Sequence, residues 1–451
     1  MLKIKDVNRV AVKNNIKMEV CCMKKIFCLL TMAVFVCVAT ALYANGIAQS
    51  SHFTAKHIGG MNDNTGDETA MYDPASVVWL KDGIYINVSS FTVMDSLEAK
   101  VGSTKYDGSA TAWTVPAASV TYKQDQIAGF LYFNVLDGAP FTKLKWDDGT
   151  FYTYTAASGV AALLTGSSIT STSVEASSTT YNITLGGAYK INDMFSFALG
   201  GRYIYYTKDV NNKFAGAGTP MGIPSSYSVD TDIKETANGF GGVIGLNVVP
   251  AHGYLIGLTY ATAIKREYDI TVDPTVTATG AYAAAAPTVA AGIKATLGDG
   301  EKARYDIPAM ATLTAAGMPV LGTIIALQIN YMFNKQADWE EAEKEYNNTI
   351  VYMLALTQYL NQQLRFSLGV MYADKGIKDD GAESLHPDSE DVNPVLDELG
   401  FGLGAAYSIN ENLNVGLTYS YTYYMEGEAF GGAEKINKTR HLVGVQVGYK
   451  M

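Results

Sequence analysis

Four cationic side chains, Arg202, Lys208, Lys265 and Arg365, sit in stretches whose apolar residues alternate with small or polar ones. Brought together inside a narrow passage, they would suit a carboxylate, because a guanidinium offers paired N–H donors to two oxygens. The competing reading for each is an ion pair with a nearby acid. Two further stretches are apolar where a connection should be wet: 156–167, with Val160, Leu163 and Leu164, and 280–294, with Tyr282 and Val289. Exposed apolar surface usually marks a binding site, here a groove for an acyl chain; the same residues can instead pack on one another.

Bond-breaking chemistry has no comparable basis. The five histidines, His52, His57, His252, His386 and His441, fall at no spacing that makes a metal site or a triad. Ser51 adjoins His52, but sequence neighbours are not a catalytic pair, and no Gly-x-Ser-x-Gly motif occurs. The acidic run from Asp379 to Asp391 and the polar run Asn62 to Glu68 lack calcium-loop spacing and read as solvated segments. No catalytic residue, metal or cofactor is expected.

The elements that must position these residues are strands. From Arg440 to Met451 the residues His441, Val443, Val445, Val447, Tyr449 and Met451 share one face, opposite Leu442, Gly444, Gln446, Gly448 and Lys450. A period of two is a strand. In 194–208, Phe195, Phe197, Leu199, Tyr203 and Tyr205 oppose Ser196, Ala198, Gly200, Arg202, Tyr206 and Lys208. The segment 412–424 repeats the pattern, with tyrosines toward one end as in an aromatic girdle.

Some fourteen such segments follow Ile84: near 84–95, 113–123, 127–136, 179–190, 194–210, 233–249, 253–272, 302–317, 321–336, 347–360, 363–376, 394–409, 412–427 and 436–450. Tight turns at 123–126, 190–193, 250–253, 361–363 and 410–412 alternate with long loops at 137–178, 211–232, 273–301 and 377–393. Sorting short and long connections onto opposite rims is the signature of a transmembrane barrel. The expected fold is an all-β, 14-stranded antiparallel transmembrane β-barrel spanning 83–451. Residues 45–82 do not alternate and are expected to be an N-terminal hatch inside the lumen.

Composition agrees. Tyr 30 and Gly 43 against Pro 12 and Cys 4 is a β-rich balance. No run past residue 44 is long and apolar enough for a helical span. Residues 1–44 read as a signal peptide, Met23-Lys24-Lys25 preceding an apolar run to Ala41, with residues 1–22 as sequence upstream of the true start. All four cysteines, Cys21, Cys22, Cys28 and Cys37, lie within it. Its removal takes Lys/Arg from 33 to 26 and Asp/Glu from 44 to 42, a net charge of −16 in place of −11. So acidic a chain argues against nucleic acid as a partner.

The pattern resembles the bacterial FadL-like outer-membrane transporters of long-chain fatty acids and other hydrophobic compounds. The residues carrying the resemblance are Tyr72-Asp73-Pro74-Ala75, similar to an Asn-Pro-Ala element of the family's hatch, and Asp306-Ile307-Pro308-Ala309-Met310 at a strand entry. Ala118-Ser119-Val120-Thr121-Tyr122 and Leu258-Thr259-Tyr260 are also similar. Asp73 stands where the family commonly has Asn. The resemblance implies a plugged barrel in the outer membrane that takes up a fatty acid or similar hydrophobic molecule passively, captured on extracellular apolar loops. Outer-membrane lipid and the barrel-assembly machinery are then its surroundings, and a monomer is expected. The alternative is a surface structural protein or adhesin binding a host partner through its long loops.

Overall fold

The computed structural model describes residues 70, 73–149, 157–162, 164, 166–339, 342–376, 396–429 and 434–451. The expected signal peptide, most of the expected hatch, Leu163 and the acidic run Asp379 to Asp391 lie outside the described residues.

Fourteen antiparallel strands form one sheet. They are β1 Gly83–Val101, β2 Thr104–Gln124, β3 Ile127–Gly138, β4 Ser167–Lys190, β5 Phe195–Gly218, β6 Ser225–Ala251, β7 Tyr254–Ala261 with Glu267–Ala278, and β8 Lys302–Arg304 with Met310–Val320. Then come β9 Thr323–Met332, β10 Thr349–Tyr359, β11 Leu364–Asp374, β12 Glu398–Ser408, β13 Leu413–Tyr424 and β14 Glu434–Lys450. The sheet closes where β1 pairs β14, from Tyr85 opposite Lys450 to Val101 opposite Glu434. Closure leaves no edge, and in hydrocarbon every backbone N–H and C=O must find such a partner.

The short-turn rim is built by a repeated local device. Asn192, Asn361 and Asn410 each accept two backbone N–H groups two and three residues on, at 2.8–2.9 Å. These are Asx turns, which asparagine makes because its short amide mimics a peptide. Asp125, Gly253 and Gly322 supply left-handed residues in three other turns of this rim.

Outside, the apolar face is lipid-facing and ends abruptly. On β5 it runs through Phe195, Phe197, Leu199, Tyr203 and Tyr205, then gives way to Thr207, Asp209, Asn211 and Lys213. On β6, Leu246, Ile244 and Phe240 give way to Asn238, Thr236 and Lys234. Tyr203 and Phe240 meet at this boundary with tilted rings, centroids 5.0 Å apart, forming part of the girdle.

Strands β4 to β6 nevertheless continue past the girdle. The segment 211–232, expected as a loop, is the hairpin from Gly218 to Ser225 with paired arms on both sides. Its inward residues Phe214, Tyr227, Val229 and Ile233 stay apolar, so the strands keep burying a face after the lipid ends. Residues 273–301 likewise hold the end of β7, a 3-10 turn at Gly280–Ala285 and helix α1, Ala286–Thr296.

Candidate lumen site

At the short-turn end the lumen holds the hatch. Pro74–Trp79 form a 3-10 turn, with proline at the position where no N–H is needed. Ala75, Val77 and Val78 pack on Ala128 and Phe130 of β3, Ala188 of β4 and Ala198 of β5, all lumen-facing. The hatch motif residues make the polar contacts. Ser196 Oγ donates to the Ala75 carbonyl at 2.8 Å, and Asn247 Nδ2 donates to Asp73 Oδ2 at 2.9 Å. Gly245 and Gly257 leave the room: a Cβ on the first would lie 3.2 Å from Ala75 and Pro74, and on the second 3.0 Å from Asp73 Oδ2.

Level with the hatch and above it, at the depth of the lipid band, the lumen wall is amide and hydroxyl. Asn87, Asn182, Thr184, Asn330 and Asn414 are all buried there. Arg365 belongs to this region, its Nη1 3.4 Å from Tyr359 Oη. Arg202 is half-buried on the lumen face of β5.

Higher still lies a belt of buried charges. Arg440 of β14 grips Asp95 of β1 through two bonds of 2.6 and 2.7 Å. Lys438 sits 4.5 Å over the ring of Tyr424. Lys375 and Glu398 pair at 2.7 Å, and Lys208 lies 3.8 Å from Glu235. Arg266 is held between the rings of Tyr206 and Tyr268 at 4.9 and 5.0 Å, donating to the Tyr305 carbonyl at 2.9 Å. Buried charges persist only when paired and hydrogen-bonded, so this belt is a constructed layer.

Beyond the belt the interior becomes apolar. Leu97, Trp146, Val210, Ile233, Val272 and Leu297 form one cluster. A second contains Val160, Leu164, Phe214, Tyr227, Tyr282 and Val289. Ile293 of α1 packs on both. The two apolar stretches read from the sequence therefore meet, with Val160, Leu164, Tyr282 and Val289 at 8%, 6%, 3% and 8% exposure. They form a closed core and not an open groove.

Lys265 requires correction. It was expected on the lumen face, but its side chain is 60% exposed and pairs with Glu267 at 3.3 Å. Strand β7 is broken at 262–266, where a single bridge joins Ile264 to Ile307. The break shifts the period by one: odd residues face inward before it and even residues after it. Arg266 takes the buried place instead. Lys438, Arg440 and Lys375 were missed, although the first two share the inward parity of Leu442 on β14. That parity was the available signal.

The family model for outer membrane protein transport proteins of the OMPP1/FadL/TodX group matches residues 35–442. Among solved structures, a Pseudomonas aeruginosa FadL homologue is similar at 15% identity and TM-score 0.58, covering 91% of this chain and 98% of that one. The Pseudomonas putida toluene transporter TodX is similar at 14% identity and TM-score 0.56, covering 88% and 97%. At such identities the structural likeness speaks for the fold. Comparison with curated proteins finds no match.

Proposed function

Since the chain belongs to the FadL/TodX family of outer-membrane transport proteins, and is thus a channel for hydrophobic compounds and not an enzyme, we propose that its cargo is a long-chain fatty acid or a similar amphiphile moving passively. The observation that carries this reading is the apolar interior set directly above a belt of buried bases and their paired acids. A chain entering there leaves water, which stabilises it by about 0.8 kcal/mol per CH₂. Its carboxylate then reaches Lys208, Lys438 or Arg440, with Arg202 and Arg365 deeper along the lumen.

Under this reading, Val160, Leu164, Tyr282 and Val289 part to admit the chain and close behind it, with Leu163 beside them in sequence. Residues 1–44 are removed on export, 45–82 are the hatch, and 83–451 insert as a monomer through the barrel-assembly machinery.

The test compares a saturated fatty acid, its methyl ester and toluene as ligands of the purified protein. The acid should bind at least about tenfold tighter than the ester, since hydrogen bonds to charged groups contribute about 1.5–3 kcal/mol. Lys208→Met together with Lys438→Met should abolish that difference and leave the ester unaffected. Equal binding of acid and ester would replace the carboxylate reading with a neutral hydrocarbon; binding of none would end the proposal.

A further inference from the structure

The hatch contains a buried carboxyl facing a carboxamide. Asn247 Nδ2 donates to Asp73 Oδ2 at 2.9 Å. The two oxygens left over, Asp73 Oδ1 and Asn247 Oδ1, are both buried and both lack a hydrogen-bond partner among the described residues. Two orphaned acceptors on groups already joined on their other side are short of one hydrogen. A proton on Asp73 Oδ1 supplies it, turning the carboxyl into a donor beside Asn247 while the amide N–H still donates to Asp73 Oδ2. An unprotonated carboxylate leaves both acceptors buried and unmet, at a cost of about 1–3 kcal/mol for each such group.

Among the described residues the surroundings supply no cation in place of that proton. Asp73 is 1% exposed and Asn247 likewise. Strand β7 presents Gly257 and Thr259, β5 presents Ser196 and Ala198, and β3 presents Ala128 and Phe130. Of the cationic groups on elements packed against the hatch, Lys123 of β2 is held by Asp82 at 2.7 Å and Lys190 of β4 lies over Trp79 at 4.8 Å. Arg202 is three lumen-facing positions above Ser196 on β5. The tyrosines near this segment are Tyr85 of β1 and Tyr132 of β3.

We propose that the hatch is latched by a single proton shared between Asp73 and Asn247, and that loss of this proton to solvent water loosens Pro74–Trp79 from the lumen wall. The latch is a property of the hatch and does not depend on what the cargo is.

The sign follows from burial, which, partly offset by the Asn247 hydrogen bond and by the nearby backbone N–H groups of Ala75 and Ser76, pushes the Asp73 carboxyl up to about 7 from its ordinary 3.8. Asp73 lies in the hatch, outside the spanning strands. The docked hatch binds more protons than the released one, so docking is strongest below the released value. It weakens by up to about tenfold per pH unit as pH rises, and levels off above about 7.

Hydrogen exchange of peptides covering 73–80 in the full-length barrel, from pH 4.5 to 8, tests this. Dividing native rates by those of Asp73→Asn at each pH cancels the intrinsic pH dependence of exchange; a free peptide of the same sequence provides a second denominator should the variant fail to form a heat-modifiable barrel. The native-to-variant ratio should climb with pH and flatten above about 7. The exchanged pair Asp73→Asn with Asn247→Asp, which reverses acid and amide across the same contact, should restore the slope that Asp73→Asn loses. A native ratio that stays flat, or a flat profile for the exchanged pair in a folded barrel, would overturn the latch.

Discussion

Asp95 and Arg440 meet across the seam where the first and last strands close the sheet, joined through both carboxylate oxygens. Both side chains are nearly buried. Removing one member of such a pair leaves its partner charged and alone, which typically costs about 3–5 kcal/mol, whereas replacing both with apolar groups of similar volume is often neutral. Asp95→Asn should therefore destabilise the barrel by about that amount, read as a lower urea midpoint for refolding in detergent micelles. Asp95→Leu combined with Arg440→Met should regain most of the loss. Equal loss in the single and double variants would mean that the pair does not hold the seam.

At the scale of elements, the closing strand β14 shows what alternation alone can specify. Val443, Val445 and Val447 face lipid beside Leu417 and Tyr419 of β13, while Leu442 and Gln446 face inward. Replacing the three valines together with Asp puts three carboxylates into the hydrocarbon band. Each costs up to about 2 kcal/mol on this face, several kcal/mol together, comparable with the whole stability of a domain. The variant should accumulate unfolded, without a heat-modifiable band in outer-membrane fractions. A normal band would argue against lipid-facing parity for this strand.

All fourteen strands were legible in the sequence because lipid demands an unbroken apolar face opposite a different one. Where that demand stops, the reading weakened. The arms of β5 and β6 above the girdle are polar outside, so they read as the loop 211–232 although pairing continues to Gly218 and Ser225. The break in β7 at 262–266 inverted the parity, so Lys265 was assigned to a wall that Arg266 occupies. Pairings such as Asp95 with Arg440 depend on closure between residues 345 positions apart, which no local pattern carries.

Taken whole, the molecule turns inside out along its axis. Where the wall meets lipid, its interior is lined by Asn87, Asn182, Thr184 and Asn414; where the wall rises into water, its interior is Leu97, Val210, Ile233 and Val272. The upper part thus resembles a soluble β-domain with a dry core, the lower part a plugged porin, and the charged belt separates them. On the proposed reading a hydrophobic ligand seats in the dry core. Its affinity should then follow the length of chain that core takes in. With about 0.8 kcal/mol per buried CH₂, each added methylene should tighten binding by up to about fourfold in a series of saturated acids, until the chain outgrows the core and the gain stops. Calorimetric titration of C8 to C18 acids into the purified protein measures both slope and plateau. Phe214→Asp, which charges the second apolar cluster, should flatten the slope while the barrel stays heat-modifiable. Binding that ignored chain length in the native protein would place the ligand among the amides and hydroxyls below the belt, where methylenes gain little.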